Sequence, residues 1–192
     1  SASKGAAEIA IRSYVRSYFN NQDSGIRVVS ARAGNVIGGG DWAQGRIVPD
    51  CIQAWSKNEI VKLRNPSSTR PWQHVLEPLG GYLVLASELS QKDNLHGEAF
   101  NFGPPAHQNH SVSSLVDEMS KHWPLVKWEK PEEVRESFYE SGLLKLNCDK
   151  ALHLLNWQAM LNFSDTVRLT AEWYVHFYKD PESIAKVTDS QI

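Results

Sequence analysis

Residues 26–42 read IRVVSARAGNVIGGGDW, and this stretch decides the fold. Its first six residues are rich in β-branched side chains, which predicts a short buried strand over residues 26–31. Four glycines follow within residues 32–42. Such glycine density indicates backbone that turns sharply or approaches a ligand closely. Because open α/β sheets bind ligands at the carboxyl ends of their strands, we expect a binding site at this loop.

A helix precedes the strand. Apolar residues within 5–19 recur at helical spacing and predict one helical face. They are Ala7, Ala10, Ile11, Tyr14, Val15 and Tyr18. Since Ala6, Ile9 and Phe19 lie off that stripe, we expect the helix to pack on two sides, with a partner subunit as a candidate for the second side. A helix followed by a buried strand favours an α/β layer architecture.

The same alternation continues along the chain. Pro78 is well placed to open a second strong helix, and Ser113 to cap a third. Other helices are predicted over residues 49–55, 149–155 and 164–178, and other strands over residues 60–63, 99–102 and 126–128. Residues 181–192 are expected to form a loosely held tail.

The bulk composition excludes several classes of function. A chain of 192 residues with 41% apolar residues can bury a real core, and a formal net charge of −2 provides no field for nucleic acid or an anionic membrane. Its apolar stretches fall short of the roughly 20 residues that a membrane span requires. Cys51 and Cys148 have no neighbouring Cys or His at metal-ligand spacing, so no metal site is predicted. A cytoplasmic protein with reduced thiols is the expectation.

Several motifs follow one another at consistent spacings: SASKG at residues 1–5, GNVIGGGDW at 34–42, RIVPD at 46–50, RPWQHVLEP at 70–78 and FNFGP at 100–104. Together, over residues 1 to about 179, they resemble the extended short-chain dehydrogenase/reductase family. The ordered set is far more specific than any one motif. The resemblance implies an α/β fold: the C-terminal part of a Rossmann-like doubly wound parallel sheet plus a smaller α/β substrate-binding domain.

The resemblance also implies how the chain is divided. Residues 1–40 would end the NAD-binding Rossmann domain and residues 71–104 would return to it. Residues 41–70 and 105–180 would form the substrate-binding domain, followed by the tail at residues 181–192. Homo-oligomers formed through the first helix are expected by the same resemblance.

Members of this family carry a Tyr-x-x-x-Lys pair on a helix, where spacing i, i+4 places both groups on one face. The cation favours the phenolate, which lets the tyrosine act as a base. Lys4 matches the lysine, so the resemblance implies a catalytic and NAD-binding role for it, and the tyrosine would stand immediately before Ser1. An ordinary surface lysine is the alternative from the residue alone. Val36 is expected beside the nicotinamide.

Two arginines are the strongest candidates for substrate binding. A nucleotide-diphosphate sugar presents a doubly charged diphosphate, and the fork of arginine suits phosphate oxygens better than the point charge of lysine. The resemblance places Arg46 and Arg70 at that diphosphate; exposed salt-bridging arginines are the alternative. It also places Asn35 at the substrate, Asn109 near the nucleotide sugar, and Val61, Lys62 and Leu63 around the base.

Asp41 and Trp42 favour those members that dehydrate CDP-glucose with NAD, in deoxysugar biosynthesis of the O-antigen (lipopolysaccharide) type, over relatives that use dTDP-glucose or GDP-mannose. Gly142, Leu143 and Asn147 depart from the family pattern, and a phosphate ligand is expected to be missing at Gly142. Another sugar-nucleotide dehydratase or epimerase, and a non-catalytic sugar-nucleotide-binding module, remain alternatives.

Overall fold

A computed structural model describes residues 2–20, 25–123, 126–130 and 144–192. The helices are α1 Ala2–Tyr18, α2 Ile47–Trp55, α3 Leu76–Gln91, α4 Val112–Met119, α5 Asp149–Leu155, α6 Phe163–Lys179 and α7 Ile184–Gln191. The strands are β1 Ser30–Ala33, β2 Val36–Ile37, β3 Val61–Lys62, β4 Thr69–Arg70, β5 Gln73–His74, β6 Ala99–Phe102, β7 His110–Ser111 and β8 Trp128–Glu129. Helices and short, mostly parallel strands confirm the predicted α/β class.

Strand β1 pairs in parallel with β6. It begins four residues later than the predicted strand, and none of its residues is buried, so the prediction of a buried strand over residues 26–31 is wrong in its bounds and its burial. On β6 the side chains alternate, and Phe100 and Phe102 are fully buried. Helix α3 approaches this pair so closely that a Cβ atom on Gly81 would lie 2.3 Å from the Phe102 ring. The apolar core on this side also includes Leu85, Leu95, Ala151, Leu155 and Trp157.

Helix α1 runs antiparallel to β1. Near its end, Val15 faces Gly97, whose N–H donates to the Val28 carbonyl ahead of β1. Near its start, Glu8 forms an ion pair with Arg32 towards the other end of β1, at 2.7 Å. The first turn of α1 therefore lies at the carboxyl end of the strand, beside the glycine-rich loop.

A second apolar core lies among α2, α4, α6 and β3. Trp55, Ile52, Leu115 and Tyr174 are among its fully buried side chains. Strand β2 pairs in parallel with β5, and this pairing joins the glycine-rich loop to the start of α3. The loop therefore runs between the two cores, since its neighbours on either side belong to different ones.

The domain boundaries predicted from the sequence stay a prediction. Helix α5, which lies within predicted substrate-binding residues 105–180, packs its Ala151 and Leu155 with α3 and β6. An αL backbone at Asn156 ends this short helix and turns the chain.

The prediction of a loosely held tail is wrong. Residues 184–191 form helix α7, which contacts α6. The Trp173 indole N–H donates to the Thr188 hydroxyl at 2.9 Å, and the Gln191 amide donates to the Leu169 carbonyl at 2.9 Å. These polar contacts hold α7 even though none of its residues is buried, which is why its sequence lacks a strong apolar stripe.

Candidate functional site

A cavity of about 480 Å³ opens at the glycine-rich loop, where the β1–loop–β2 segment meets the start of α2. Its polar lining includes Asn35, Asp41, Arg46 and Arg70, and Trp72 contributes an apolar wall. Four of the residues that the sequence singled out, Asn35, Val36, Arg46 and Arg70, thus border one cavity. They come from segments up to 35 positions apart, which the β2–β5 pairing brings together.

The two arginines differ in environment. The Arg46 side chain is 65% exposed at the mouth, and its Nη1 donates to Asp41 Oδ2 at 2.9 Å. Arg70 is only 7% exposed, its Nη1 donates to the Thr69 carbonyl at 2.8 Å, and it has further interactions. Its position follows from strand β4, which pairs antiparallel with β7. Arg70 is therefore held in the wall, whereas Arg46 lies exposed at the mouth with Asp41 as its partner.

The glycine-rich loop is fixed by α6. The hydroxyl of Tyr174 accepts from the Asp41 N–H at 3.1 Å and donates to the Asp41 carbonyl at 2.7 Å. Burial raises the pKa of Tyr174 to about 12, so this hydroxyl keeps its proton at neutral pH. Next to it, the Trp42 ring packs against Tyr174, Phe177 and Tyr178. The loop that lines the cavity is therefore clamped to a helix of the second core.

Asn35 and Val36 lie on the floor of the cavity. The Asn35 carbonyl accepts from the Gln73 N–H at 3.1 Å, which starts the β2–β5 ladder and orients both residues. This backbone hydrogen bond fixes Asn35 in the cavity lining. Its side-chain amide can both donate and accept a hydrogen bond there. Val36 beside it is half-buried and offers an apolar surface.

Lys4 does not line the cavity. It is exposed in the first turn of α1, one helical turn before Glu8, on the same helix face as the residue that contacts Arg32. The antiparallel course of α1 nevertheless brings Lys4 to the strand end that leads into Asn35. Its role in catalysis and cofactor binding stays a prediction.

The three residues expected around a base lie at β3, outside the cavity lining. Val61 is 8% exposed and Leu63 is 2% exposed, so their side chains belong to the second core. The Val61 N–H donates to the carbonyl of Lys127, just before β8, and the Leu63 N–H donates to the Glu129 carbonyl. Lys62 is exposed and forms an ion pair with Glu129 at 3.6 Å. A role around a base stays a prediction for these three residues.

Asn109 lies next to the buried arginine without lining the cavity. Its Nδ2 donates to Thr69 Oγ1 at 3.0 Å, while its Oδ1 is buried and has no hydrogen-bond partner. An orphaned acceptor of this kind is costly unless something donates to it. The predicted role of Asn109 near a nucleotide sugar stays a prediction.

The departures from the family pattern have different outcomes. Gly142 and Leu143 lie outside the residues that the structure describes. Asn147 lies at the start of α5, where its Oδ1 accepts from the Asp149 N–H at 3.0 Å. Its carbonyl accepts from the Asn101 amide at 2.9 Å. Asn147 therefore ties α5 to β6 and makes no contact with the cavity.

The sequence missed what Asp41 and Tyr174 do. Asp41 was noted only as part of a family-like stretch, and its spacing of five residues from Arg46 is not a recognised signal. Tyr174 looked like an ordinary member of an apolar helix face, because its partner is 133 positions away. No local pattern could have found that pair.

Within the described ranges, no group of three or more His, Cys, Asp or Glu side chains is placed to hold a metal ion. Across the same part of the chain, none of the helices has the length and apolar character needed to cross a membrane.

Comparison with known proteins gives a relative in Salmonella typhimurium. Its CDP-glucose 4,6-dehydratase is 39% identical over 178 residues, which is 91% of this chain and 49% of the relative. The chain thus spans about half the length of the curated relative that it matches. No family model matches the sequence.

Solved structures share the fold. The dTDP-glucose 4,6-dehydratase of Bacillus anthracis, solved with NAD, has a TM-score of 0.71 at 16% identity over 97% of this chain and 54% of its own. The UDP-glucuronic acid 4-epimerase of Bacillus cereus has a TM-score of 0.69 at 16% identity over 88% of this chain and 49% of its own. Identities this low establish a Rossmann-type α/β fold alone. The shares covered fit the expected C-terminal part, and over 91% of its length the chain is similar in sequence to CDP-glucose 4,6-dehydratase.

Proposed function

We propose that the whole protein carries out the NAD-dependent dehydration of CDP-D-glucose to CDP-4-dehydro-6-deoxy-D-glucose, and that this chain supplies mainly substrate binding. One observation carries the proposal: Arg46, Arg70 and Asn35 line the same cavity. Deoxysugar biosynthesis of the O-antigen type is the setting that this reaction would serve.

The cavity suits a nucleotide sugar in charge and size. Two guanidinium groups can each donate two parallel hydrogen bonds to phosphate oxygens, and a diphosphate carries two charges. At about 480 Å³, the cavity falls within the range of roughly 300–1,000 Å³ that small-molecule sites occupy. Trp72 contributes an apolar ring to the wall and is 5% exposed to solvent. Its indole N–H donates to the His110 carbonyl at 3.1 Å.

The residues present fit the nicotinamide end of NAD. Val36 provides a half-buried apolar surface beside Asn35, and Lys4 provides a cation at the same strand end. When bound, NAD would accept a hydride from the sugar and return it. Lys4 would hold the nicotinamide ribose, and its charge would favour the ionised form of a tyrosine four positions earlier in the chain.

The choice of CDP-glucose rests on sequence identity. The relative that is 39% identical acts on that substrate by its name, whereas dTDP- and UDP-sugar enzymes share only the fold at 16% identity. Another sugar-nucleotide dehydratase or epimerase is therefore the second candidate. Turnover assays of the natural full-length protein with CDP-glucose, dTDP-glucose and UDP-glucose separate the two. We expect turnover of CDP-glucose; turnover of a non-cytidine substrate alone would exclude our choice.

A non-catalytic sugar-nucleotide-binding module is the candidate from another class. The residue encoded immediately before Ser1 distinguishes it, because the dehydratase requires a tyrosine there. We also expect residues 1–192 alone to bind nucleotide without forming the dehydrated product. Product formed by these residues alone would show that the catalytic groups lie within them.

We further propose a homo-oligomer formed through the first helix. Helix α1 leaves Ile9 71%, Tyr14 60% and Tyr18 68% exposed, and α3 leaves Leu83 74% exposed. Contiguous apolar patches that stay exposed on a folded chain mark contact sites, and most soluble oligomers are symmetric assemblies of identical chains. Two copies that pair these helices would form a four-helix contact.

A further inference from the structure

Asp41 is held at each of its polar groups. Its Oδ1 accepts from the Ala43 N–H at 3.0 Å and its Oδ2 accepts from Arg46 Nη1 at 2.9 Å. The Tyr174 hydroxyl engages both its N–H and its carbonyl. Because the Asp41 carboxylate is held in one orientation, it can hold the side chain that donates to it in one orientation as well.

The group that it fixes is the exposed arginine. An arginine side chain loses rotamer freedom when a ligand orders it, and that loss weakens binding. Because Asp41 binds Arg46 through Nη1, the rest of the guanidinium keeps donors for an incoming anion, and the ordering cost falls before the ligand arrives. The side chain is 65% exposed, and among the described residues Asp41 is its ion-pair partner.

Electrostatics alone would argue against Asp41 at this place. A carboxylate that lines a diphosphate cavity repels the ligand, so removing its charge should tighten binding. Positioning makes the opposite prediction. The sign of the change in affinity therefore decides between the two effects.

We infer that Asp41 is the positioning residue for Arg46 in the binding of a nucleoside-diphosphate sugar, and that Tyr174 of α6 holds Asp41 in place. This inference rests on the proposed function and adds to it a residue that acts through the arginine and not on the substrate. The loop geometry that it requires is set by α6, a helix of the second core.

The test is a double-mutant cycle in the natural full-length protein, with the dissociation constant for CDP-glucose as the measurement. Asp41→Asn keeps an oxygen for the Ala43 N–H and removes the charge that holds Arg46. We expect it to weaken binding about fivefold, and by less than about twofold when Arg46→Ala is already present. The matched control is Asp50→Asn, which removes a nearby carboxylate that bonds the Gly45 N–H and does not line the cavity.

Tyr174→Phe is the second variant, since it keeps the ring and removes the hydroxyl. It should weaken CDP-glucose binding in the same direction and be non-additive with Asp41→Asn. Cytidine, which has no phosphate, should bind the parent and the Asp41→Asn protein alike in a competition assay. A general loss of structure would weaken both ligands together.

Tighter or unchanged binding by Asp41→Asn overturns the inference, as does an equal loss in the Arg46→Ala background or for cytidine. A different result marks failure of the proposed function: Arg46→Ala and Arg70→Ala would then leave CDP-glucose binding unchanged, or no binding would be found. If Arg46→Ala weakens binding and Asp41→Asn does not, only the positioning role is lost.

Discussion

Gly39 lies directly against the indole of Trp173. A Cβ atom at position 39 would come within 2.1 Å of the ring atoms Cγ and Cδ2, far inside any allowed contact. Since the ring is part of the aromatic face of α6 that clamps the loop, Gly39→Ala must displace either the helix or the loop. We expect a loss of about 1–3 kcal/mol in the free energy of unfolding, measured by denaturant titration.

Gly5→Ala is the control for that change. An added methyl at Gly5 meets no atom within 4 Å, and alanine is the better helix former. It should leave the unfolding free energy unchanged or raise it by up to about 1 kcal/mol. Equal stability of Gly39→Ala and the parent protein would contradict the close packing of the loop on Trp173.

Arg70→Ala should weaken CDP-glucose binding by at least about 1.5 kcal/mol, the scale of a lost charge-assisted hydrogen bond. The Michaelis constant of the full-length enzyme is the measurement. Because Arg70 is buried, Arg70→Lys serves as a milder variant that keeps the charge and loses the fork. Arg64→Ala removes an exposed arginine outside the cavity lining and is the control. An unchanged Michaelis constant in Arg70→Ala would count against a diphosphate role.

His74 should make the protein sensitive to acid. Burial lowers the pKa of His74 from 6.5 to about 4, so between these values the unfolded chain binds a proton that the folded chain does not. Stability contributed in this way is present above pH 6.5 and falls as the pH drops towards 4, by at most about 3 kcal/mol at 1.4 kcal/mol per pKa unit.

The measurement is the unfolding free energy of His74→Leu against the parent between pH 7 and pH 4. We expect a shallower decline in the variant, because the imidazole that must be charged is gone. His107→Leu, which removes an exposed histidine from the loop after β6, is the matched variant. Parallel curves for His74→Leu and the parent would refute the assignment.

Leu83→Lys should dissociate the proposed oligomer. Leu83 is 74% exposed on α3, and a lysine there would place a charge in any apolar contact between helices. Sedimentation velocity should show a dissociation constant raised tenfold or more, on the order of the 1.4 kcal/mol that a tenfold change represents. Leu152→Lys on α5, 47% exposed, is the control. A parent protein that stays monomeric at high concentration would exclude the proposal.

Much of the fold could be predicted because its signals are local. Helix α5 has the predicted bounds, and β6 matches residues 99–102, since helical periodicity and strand alternation are written in neighbouring residues. The predicted start of strand β1 was too early, because the run of β-branched residues begins before the hydrogen-bonded pairing with β6 does. Helix α7 was missed because polar contacts with α6, and not an apolar stripe, hold it.

By itself, the sequence determined the α/β class and the position of the glycine-rich loop, which follow from residue type and short spacing. Resemblance to a known family singled out Asn35, Arg46 and Arg70 as candidates for substrate binding. Only the tertiary structure decided which of them share a cavity, and that Asp41, Arg46 and Tyr174 form one connected set. The physical reason is that a hydrogen bond between residues 133 positions apart depends on how two cores pack against a loop, and no local pattern encodes that packing.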